Sequence, residues 1–370
     1  MVGTPPVSWR DYSELTTRKK EKKMRDLYFD ERYGKLYEEI EKGVCQLFEF
    51  NHPFGRVRHM FIKRMIPILI GPNRYYDIIT PYGYGGPMMT DCTTENRQEL
   101  GEAFEKAFAA YCDSENIVSE FIRFHPVHCN AEDFKAIYEV NYLRDTVGTS
   151  IRVHDDPIQA EFSSSARKNI RKALRDGIEY RVTLAPSDLR AFQQIYFATM
   201  ERNRAESFYY FNEQYFNQLL ESFGERLLLV EALYKGEVIG MELQFVDNDI
   251  IHTHLSGTYE AFHHLSPVYI MQYATVLWAK ERGISLIHGG GGRTNSPDDN
   301  LLRFKRQFAR CTSFSFYTGQ KVWNEDMYNQ LCKIANTEIT DEFFPAYRKL
   351  QENDTNKVSK FNSDESEMEI

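Results

Sequence analysis

Runs of strict alternation and runs of 3.6-residue spacing take turns along this chain, and their order outlines most of its elements. A short helix is expected over residues 30–42, then strands over 44–50 and 57–70, the second rich in β-branched and aromatic residues. Tyr75-Tyr-Asp-Ile-Ile-Thr80 leads into Pro81-Tyr-Gly-Tyr-Gly-Gly-Pro87, a stretch whose prolines and glycines break any regular period. An amphipathic helix over 95–112, a buried strand over 117–124 and a further strand over 138–153 follow. Asp155-Asp-Pro157 reads as a boundary, which divides the chain into a domain of residues 26–154 and a domain of residues 155–350.

The second half opens with a serine-capped helix over 163–176 that Gly177 stops. A strand (178–184), two helices (186–204 and 212–223) and three strands in succession (227–234, 237–246 and 250–257) come next, with Lys235-Gly236 as a hairpin turn. A helix over 266–282 ends at Gly283, and a short apolar strand over 284–288 runs into four glycines. A helix over 301–309, a strand over 312–318 and a helix over 324–335 complete the pattern. The polar residues 1–25 and the acidic tail 351–370 lack the apolar content of a core and are expected to be disordered.

The chain has 370 residues, of which 42% are apolar and 14% aromatic, enough for two domains with substantial cores. Its net charge of -9 argues against a general nucleic-acid coat and against DNA as a partner, although a local basic patch stays compatible with it. No apolar run approaches the roughly 20 residues that a membrane helix requires. The basic residues Arg18, Lys19, Lys20, Lys22 and Lys23 are not followed by the apolar segment of a secretory signal. Six cysteines with neither CxxC pairs nor a framework spacing read as reduced thiols, so a cytoplasmic protein is expected.

Four segments carry candidate chemistry. In Ser163-Ser-Ser-Ala-Arg-Lys-Asn-Ile-Arg-Lys-Ala-Leu-Arg175, Arg167, Arg171 and Arg175 recur every four residues and share a helix face, flanked by Lys168 and Lys172. Such a face suits a phosphate-bearing partner, or is an ordinary solvated surface. In the Pro-Gly-Tyr loop, Tyr82 and Tyr84 offer stacking faces and hydroxyls, and Gly85 lets a ligand approach the backbone. After the strand at 284–288, Gly289 to Gly292 can present backbone N–H groups to an anion, with Gly290 and Arg303 as candidate binding residues, although no Gly-Lys-Ser/Thr makes this a P-loop.

Asp299 or Asn300 can cap the helix that follows, whose apolar stripe is Leu301, Phe304 and Phe308, and Lys305 can stabilise an oxyanion in acyl transfer. In the last segment His252, His254 and Ser256 share one strand face by period two, and His254 can accept a proton from an attacking amine. Tyr210 is a further candidate for substrate binding. The His125-Pro-Val-His-Cys129 spacing is too tight for a metal site, and no metal is expected.

Three of these segments, Thr80-Pro-Tyr-Gly-Tyr-Gly-Gly-Pro87, Ser165-Ala-Arg-Lys-Asn-Ile-Arg-Lys-Ala173 with Gly177, and Gly289-Gly-Gly with Leu301-Leu-Arg-Phe-Lys-Arg-Gln-Phe308, together resemble the FemABX-like branch of the GNAT acyltransferase superfamily. The resemblance spans residues 44–331 and implies two tandem GNAT-like α/β domains, each a mixed, mostly antiparallel sheet flanked by helices, with the site in the cleft between them. It also implies acyl transfer to an amine. Known members move an amino acid from aminoacyl-tRNA onto a peptidoglycan precursor.

By that resemblance Phe304 and Lys305 lie at the reaction centre, while the Tyr82/Tyr84 loop and a basic residue of the Arg167–Arg171 helix lie near the acceptor. The expected co-substrate is acyl-CoA or aminoacyl-tRNA, with no tightly bound cofactor. The expected acceptor is a small-molecule, nucleotide-linked or cell-envelope or polysaccharide precursor, and charged tRNA is a candidate partner. Two departures stand out: no sustained heptads for a coiled-coil arm, and no glycine in Tyr259-Glu-Ala-Phe-His-His-Leu-Ser-Pro267, where acetyl-CoA enzymes carry their pyrophosphate loop. A ligand-binding GNAT pair without turnover and a tRNA-binding module remain as other readings.

Overall fold

The computed structural model describes residues 26–296, 298–338 and 343–349, so the segments expected to be disordered, 1–25 and 351–370, lie outside the described residues. The chain forms two compact units whose boundaries fall at 27/28, 142/143 and 316/317. The sequence sets one boundary near Asp155. The contacts instead end the first segment inside a strand, and the residues after 316 fold with 28–142.

The unit containing residues 28–142 starts with α1 (Glu31–Leu36), capped by Asp30, whose carboxylate accepts from Arg32 N at 3.0 Å, and α2 (Glu38–Glu41). β1 (Gly43–His52) and β2 (Gly55–Met65) form a long hairpin, paired from Gly43↔Arg64 to His52↔Gly55. β3 (Tyr76–Ile79) and β4 (Met88–Thr90) each pair antiparallel with a different part of β2. α3 (Arg97–Ser114) then crosses over to β5 (Ile117–Arg123), which runs parallel to β3. The crossover helix places Leu100, Phe104, Phe108 and Cys112 on one buried stripe, four residues apart, against Val57, Phe61 and Ile122. Burying each phenylalanine contributes about 2–3 kcal/mol. α4 (Ala131–Phe134) and the start of β6 (Glu139–Ser150) close this stretch.

The second unit comprises residues 143–316 with Asp26 and Leu27. It begins with the rest of β6, α5 (Pro157–Glu161) and α6 (Ser164–Arg175). Ser163 caps α6, its hydroxyl accepting from Ala166 N at 3.0 Å, and Ala166, Ile170 and Ala173 form the buried face. β7 (Ile178–Leu184), α7 (Arg190–Arg202), α8 (Glu213–Phe223), β8 (Leu227–Tyr234), β9 (Glu237–Asp247) and β10 (Ile250–Thr258) follow in the expected order. The β8–β9 turn has Lys235 at φ 53° and Gly236 at φ 83°, the two positive values that a tight hairpin turn requires.

α9 (Pro267–Glu281) crosses to β11 (Leu286–Gly290), parallel to β10; α10 (Asn300–Lys305) and β12 (Ser313–Val322) come next. Within this unit the strands lie in the order β6-β11-β10-β9-β8-β7, antiparallel except for β10 and β11. The last six residues of β12, from Tyr317, and α11 (Glu325–Ala335) belong to the first unit, where β12 pairs antiparallel with β5. Each unit is therefore a mixed, mostly antiparallel sheet flanked by helices, with one helical crossover to a parallel strand.

Candidate active site

The single parallel pair of the second unit creates the site. β10 and β11 are in register only from Ile250↔Leu286 to His252↔His288. Past that point β10 continues along β9 with a bulge between Thr253 and Leu255, while β11 ends at Gly290 after its own register shift against β6. Two strands that stop pairing leave a gap between them. That gap is a cavity of about 100 Å³, lined by Thr253 and Ser256 of β10, Gly289 of β11, Val147 to Thr149 of β6, Glu242 of β9, Gln272 of α9, and Phe304 and Lys305 of α10. Ser256 is exposed and marks its mouth.

Lys305 closes α10, and its Nζ donates to the carbonyl of Gly291 at 2.9 Å. Burial lowers its pKa to about 8, and the negative charges of Glu242 and Asp299 oppose that shift. Glu242 is 5% exposed, and burial raises its pKa to about 7 against the pull of Gln244, Lys305 and Gln272. Gln272 Nε2 donates to Glu242 Oε2 at 2.9 Å. The carboxylate and the ammonium line the same cavity, each with a neutral hydrogen-bond partner, Gln272 and the Gly291 carbonyl. A space between a buried carboxylate and a half-buried ammonium, both shifted toward neutrality, is suited to reactions that move protons and build charge.

Asp299 makes most of the side-chain bonds that hold the glycine loop. Asp299 accepts from Leu302 N at 2.8 Å, capping α10, and also from Arg293 N at 3.0 Å, Thr294 N at 2.8 Å and Thr294 Oγ1 at 3.0 Å. These donors hold its carboxyl well below the usual range. Arg144 Nη1 donates to Gly292 O at 2.8 Å, and a Cβ on Gly292 would lie 2.4 Å from Asp299 Oδ1. Glycine is needed there so that the loop can turn back over the cap and carry the Gly291 carbonyl to Lys305.

The residues singled out in the sequence separate clearly. Lys305 and Phe304 line the cavity, the Phe304 ring packing edge-on against Tyr269 and Phe308. Gly290, at φ 71°, lies between the lining residue Gly289 and the acceptor Gly291. Arg303, Arg171 and Tyr210 are exposed. Arg167 is half-buried, and its guanidinium donates to the carbonyls of Gln159 and Phe162, tying α6 to α5.

His254 does not line the cavity: its Nε2 lies 2.7 Å from the Tyr215 hydroxyl, its ring packs on Phe245, and desolvation lowers its pKa to about 3. The shared face expected of His252, His254 and Ser256 fails because the bulge shifts the alternation, so that Thr253 and Ser256 are the β10 residues facing the cavity.

Tyr82, Tyr84 and Gly85 belong to the first unit, in a loop fixed at several points. Tyr33 donates to Tyr82 O at 2.9 Å, Asn130 Nδ2 donates to Gly85 O at 2.8 Å and Pro87 O at 2.9 Å, and Arg123 Nη1 donates to Thr80 O at 3.0 Å. The Tyr84 ring packs edge-on against Tyr28 and His125. His125 Nδ1 in turn accepts from His128 N at 3.2 Å.

Glu242 and Gln272 were not evident in the sequence. The available signal was an acid inside a largely apolar strand, Met241-Glu-Leu-Gln-Phe245, where a buried charge calls for a purpose.

A family model described as acetyltransferase (GNAT) domain matches residues 160–306, the stretch that supplies most of the cavity lining. No curated protein matches the chain in sequence. Among solved structures, FemX superposes with a TM-score of 0.61 at 12% identity, covering 89% of this chain and 99% of its own. The C-terminal domain assigned to a lysylphosphatidylglycerol synthetase from Agrobacterium fabrum gives 0.51 at 11% identity, covering 83% and 94%. A conserved protein of unknown function from Bacteroides thetaiotaomicron gives 0.50 at 11%, covering 87% and 100%. With its crossover geometry, its matching GNAT domain and this likeness, the chain has the fold of the FemABX-like branch of the GNAT superfamily.

Proposed function

We propose that this chain transfers an acyl or aminoacyl group from an activated ester or thioester to an amine, in the cavity of the second unit. The observation that carries this reading is the Lys305 ammonium, drawn into the cavity at the end of a capped helix and held at 2.9 Å from Gly291 O. As the amine nitrogen attacks the donor carbonyl, the carbonyl π pair moves to oxygen. The resulting oxyanion recovers the interaction with Lys305 that water would otherwise supply, and in a poorly solvated pocket that attraction is strong. A lysine whose charge is partly desolvated gains most from an anion that exists only in the transition state.

Two donor classes fit this chemistry, acyl-CoA and aminoacyl-tRNA, and one observation favours the second. The segment 259–267 folds as a 3-10 turn (Glu260–Leu265), followed by Ser266 in the left-handed region and by Pro267 at the first position of α9. Proline has no N–H, so this helix start offers fewer amides to a pyrophosphate than a glycine loop would. The FemABX-like resemblance points the same way, to an aminoacyl ester carried by tRNA and to an acceptor amine on a cell-envelope or polysaccharide precursor.

Incubating the purified chain with labelled acyl-CoA and aminoacyl-tRNA donors and a panel of amines tests the reading, with product counted by label. Lys305→Ala is expected to lower kcat about 100- to 1,000-fold with a smaller change in KM. A variant with unchanged kcat removes Lys305 from the reaction. Ligand-induced stabilisation with no product from any donor would make the chain a binding protein.

A further inference from the structure

Transfer to an amine needs a group that removes a proton from nitrogen. His254, the base expected from the sequence, is committed to Tyr215 and lies outside the cavity lining. Among the described residues, the cavity lining contains two groups that can exchange protons near neutrality, Lys305 and Glu242. Lys305 is the cation. From the geometry we infer that Glu242 is the general base of the reaction, taking the proton from the attacking amine and returning it to the leaving group. This rests on the transfer reading above.

Three features converge on Glu242. It sits on the central strand β9, paired across to Ser256, the residue at the cavity mouth. One side of its carboxylate is fixed by Gln272 from α9, which sets its orientation without adding a charge. Lys305 faces the same space from α10 but donates to the Gly291 carbonyl, so the reacting nitrogen and carbonyl have room between the two. The other polar side chains lining the cavity, Ser256 and Thr253 of β10 and Thr149 of β6, and Gln244 beside Glu242 do not titrate in the working range. Burial accounts for a carboxyl that is ionised only around neutral pH, where a base is most effective.

The step balances as follows. The amine lone pair forms the C–N bond, and the carbonyl π pair goes to oxygen opposite Lys305. The proton on nitrogen passes to the Glu242 carboxylate, giving a neutral carboxyl. When the oxyanion collapses, the carbon–oxygen or carbon–sulfur bond to the donor breaks with its electron pair, and the Glu242 proton goes to that leaving oxygen or sulfur. The carboxylate is restored and the net change is one ester or thioester exchanged for one amide.

The test uses the full chain as wild type, Glu242→Gln, Glu242→Asp and Lys305→Ala, with the donor that supports transfer, an alkyl amine as one acceptor and hydroxylamine as the other. Hydroxylamine is already unprotonated at neutral pH and depends less on a base. Glu242→Gln is expected to lower kcat about 100- to 1,000-fold with the alkyl amine, to lose the acid limb of the kcat profile near pH 7, and to narrow its deficit to about tenfold or less with hydroxylamine. Glu242→Asp should recover part of the loss, whereas Lys305→Ala should be impaired with both acceptors.

An equal deficit with both acceptors, or a loss confined to KM, would make Glu242 an anchor for a cationic group and overturn the proposal. A wild type that gives no product from any donor defeats the transfer reading itself. Independently of turnover, difference infrared spectra of wild type against Glu242→Gln should show a carboxyl that ionises near neutrality; one that stays ionised down to the ordinary carboxylate range overturns the proposal.

Discussion

Each unit buries a glutamate on a central strand, and the two are treated in opposite ways. In the first unit Glu120, 1% exposed, is satisfied by its surroundings: His59 Nε2 lies 2.5 Å from one oxygen and Trp323 Nε1 donates to the other at 3.0 Å. Phe104, Phe108 and Tyr138 pack around this arrangement. In the second unit Glu242 receives Gln272, while the space beside it is a cavity with a lysine on another wall. A buried carboxylate surrounded by donors does structural work. A buried carboxylate facing a gap retains unspent affinity for a proton or a ligand. Burial of a glutamate on an inner strand thus tells nothing of function until its partners are known.

The contrast is sharpest in stability. Glu120→Ala leaves two buried donors without an acceptor and should cost on the order of 3–5 kcal/mol, whereas Glu242→Gln should change stability by about 1 kcal/mol or less at neutral pH. Urea unfolding of both variants decides it, and equal losses would erase the distinction. A smaller effect is expected in the pH dependence. The raised pKa of Glu242 means that the folded state holds a proton which the unfolded chain has released, so its contribution is complete below the ordinary carboxylate range and fades as pH rises through about 7.

Over that window the wild type should lose on the order of 1–2 kcal/mol relative to Glu242→Gln, read from parallel denaturation curves. Lys305 runs in the other sense: its lowered pKa favours the folded state at high pH, and that contribution is lost as pH falls through about 8.

Asp299→Ala removes a helix cap and three bonds to the glycine loop, and should cost about 1–2 kcal/mol with a fall in kcat larger than the rise in KM, because Lys305 loses its placement. The smallest effects should come from Arg171→Ala and Arg303→Ala, exposed residues whose stability change is expected within about 0.5 kcal/mol. If tRNA is the donor, each should flatten the salt dependence of its binding, measured by filter retention.

The order of elements was legible because period-2 and period-3.6 patterns are strong where one face is buried, as at the ends of β1 and in α3, and because β8 reads as a short continuous apolar run. Phe304 and Lys305 stand out in the sequence because a capped helix after a glycine run carries its own signals, and both lie on the cavity wall. Strict alternation puts His254 on the wrong face because a bulge, which no pattern of residue types reveals here, reverses the faces beyond Thr253. Glu242 was passed over because an acid between Met241 and Leu243 reads as part of an ordinary core strand until α9 and α10 are brought over it. The Arg167 cation, read as a ligand for phosphate, is occupied by two backbone carbonyls, a contact that depends on how α5 meets α6.

The chain leaves the first unit at Leu143 and returns to it only at Tyr317. On a ribosome, the sheet begun by β1 and β2 must therefore wait for about half the protein to be synthesised before the end of β12 arrives to pair with β5 and α11 can dock. The first unit cannot be excised as one uninterrupted piece with all its strands, and a premature stop after α10 would spare every residue of the cavity proposed for chemistry except Phe308 and Ala309 while depriving the first unit of an edge to its sheet.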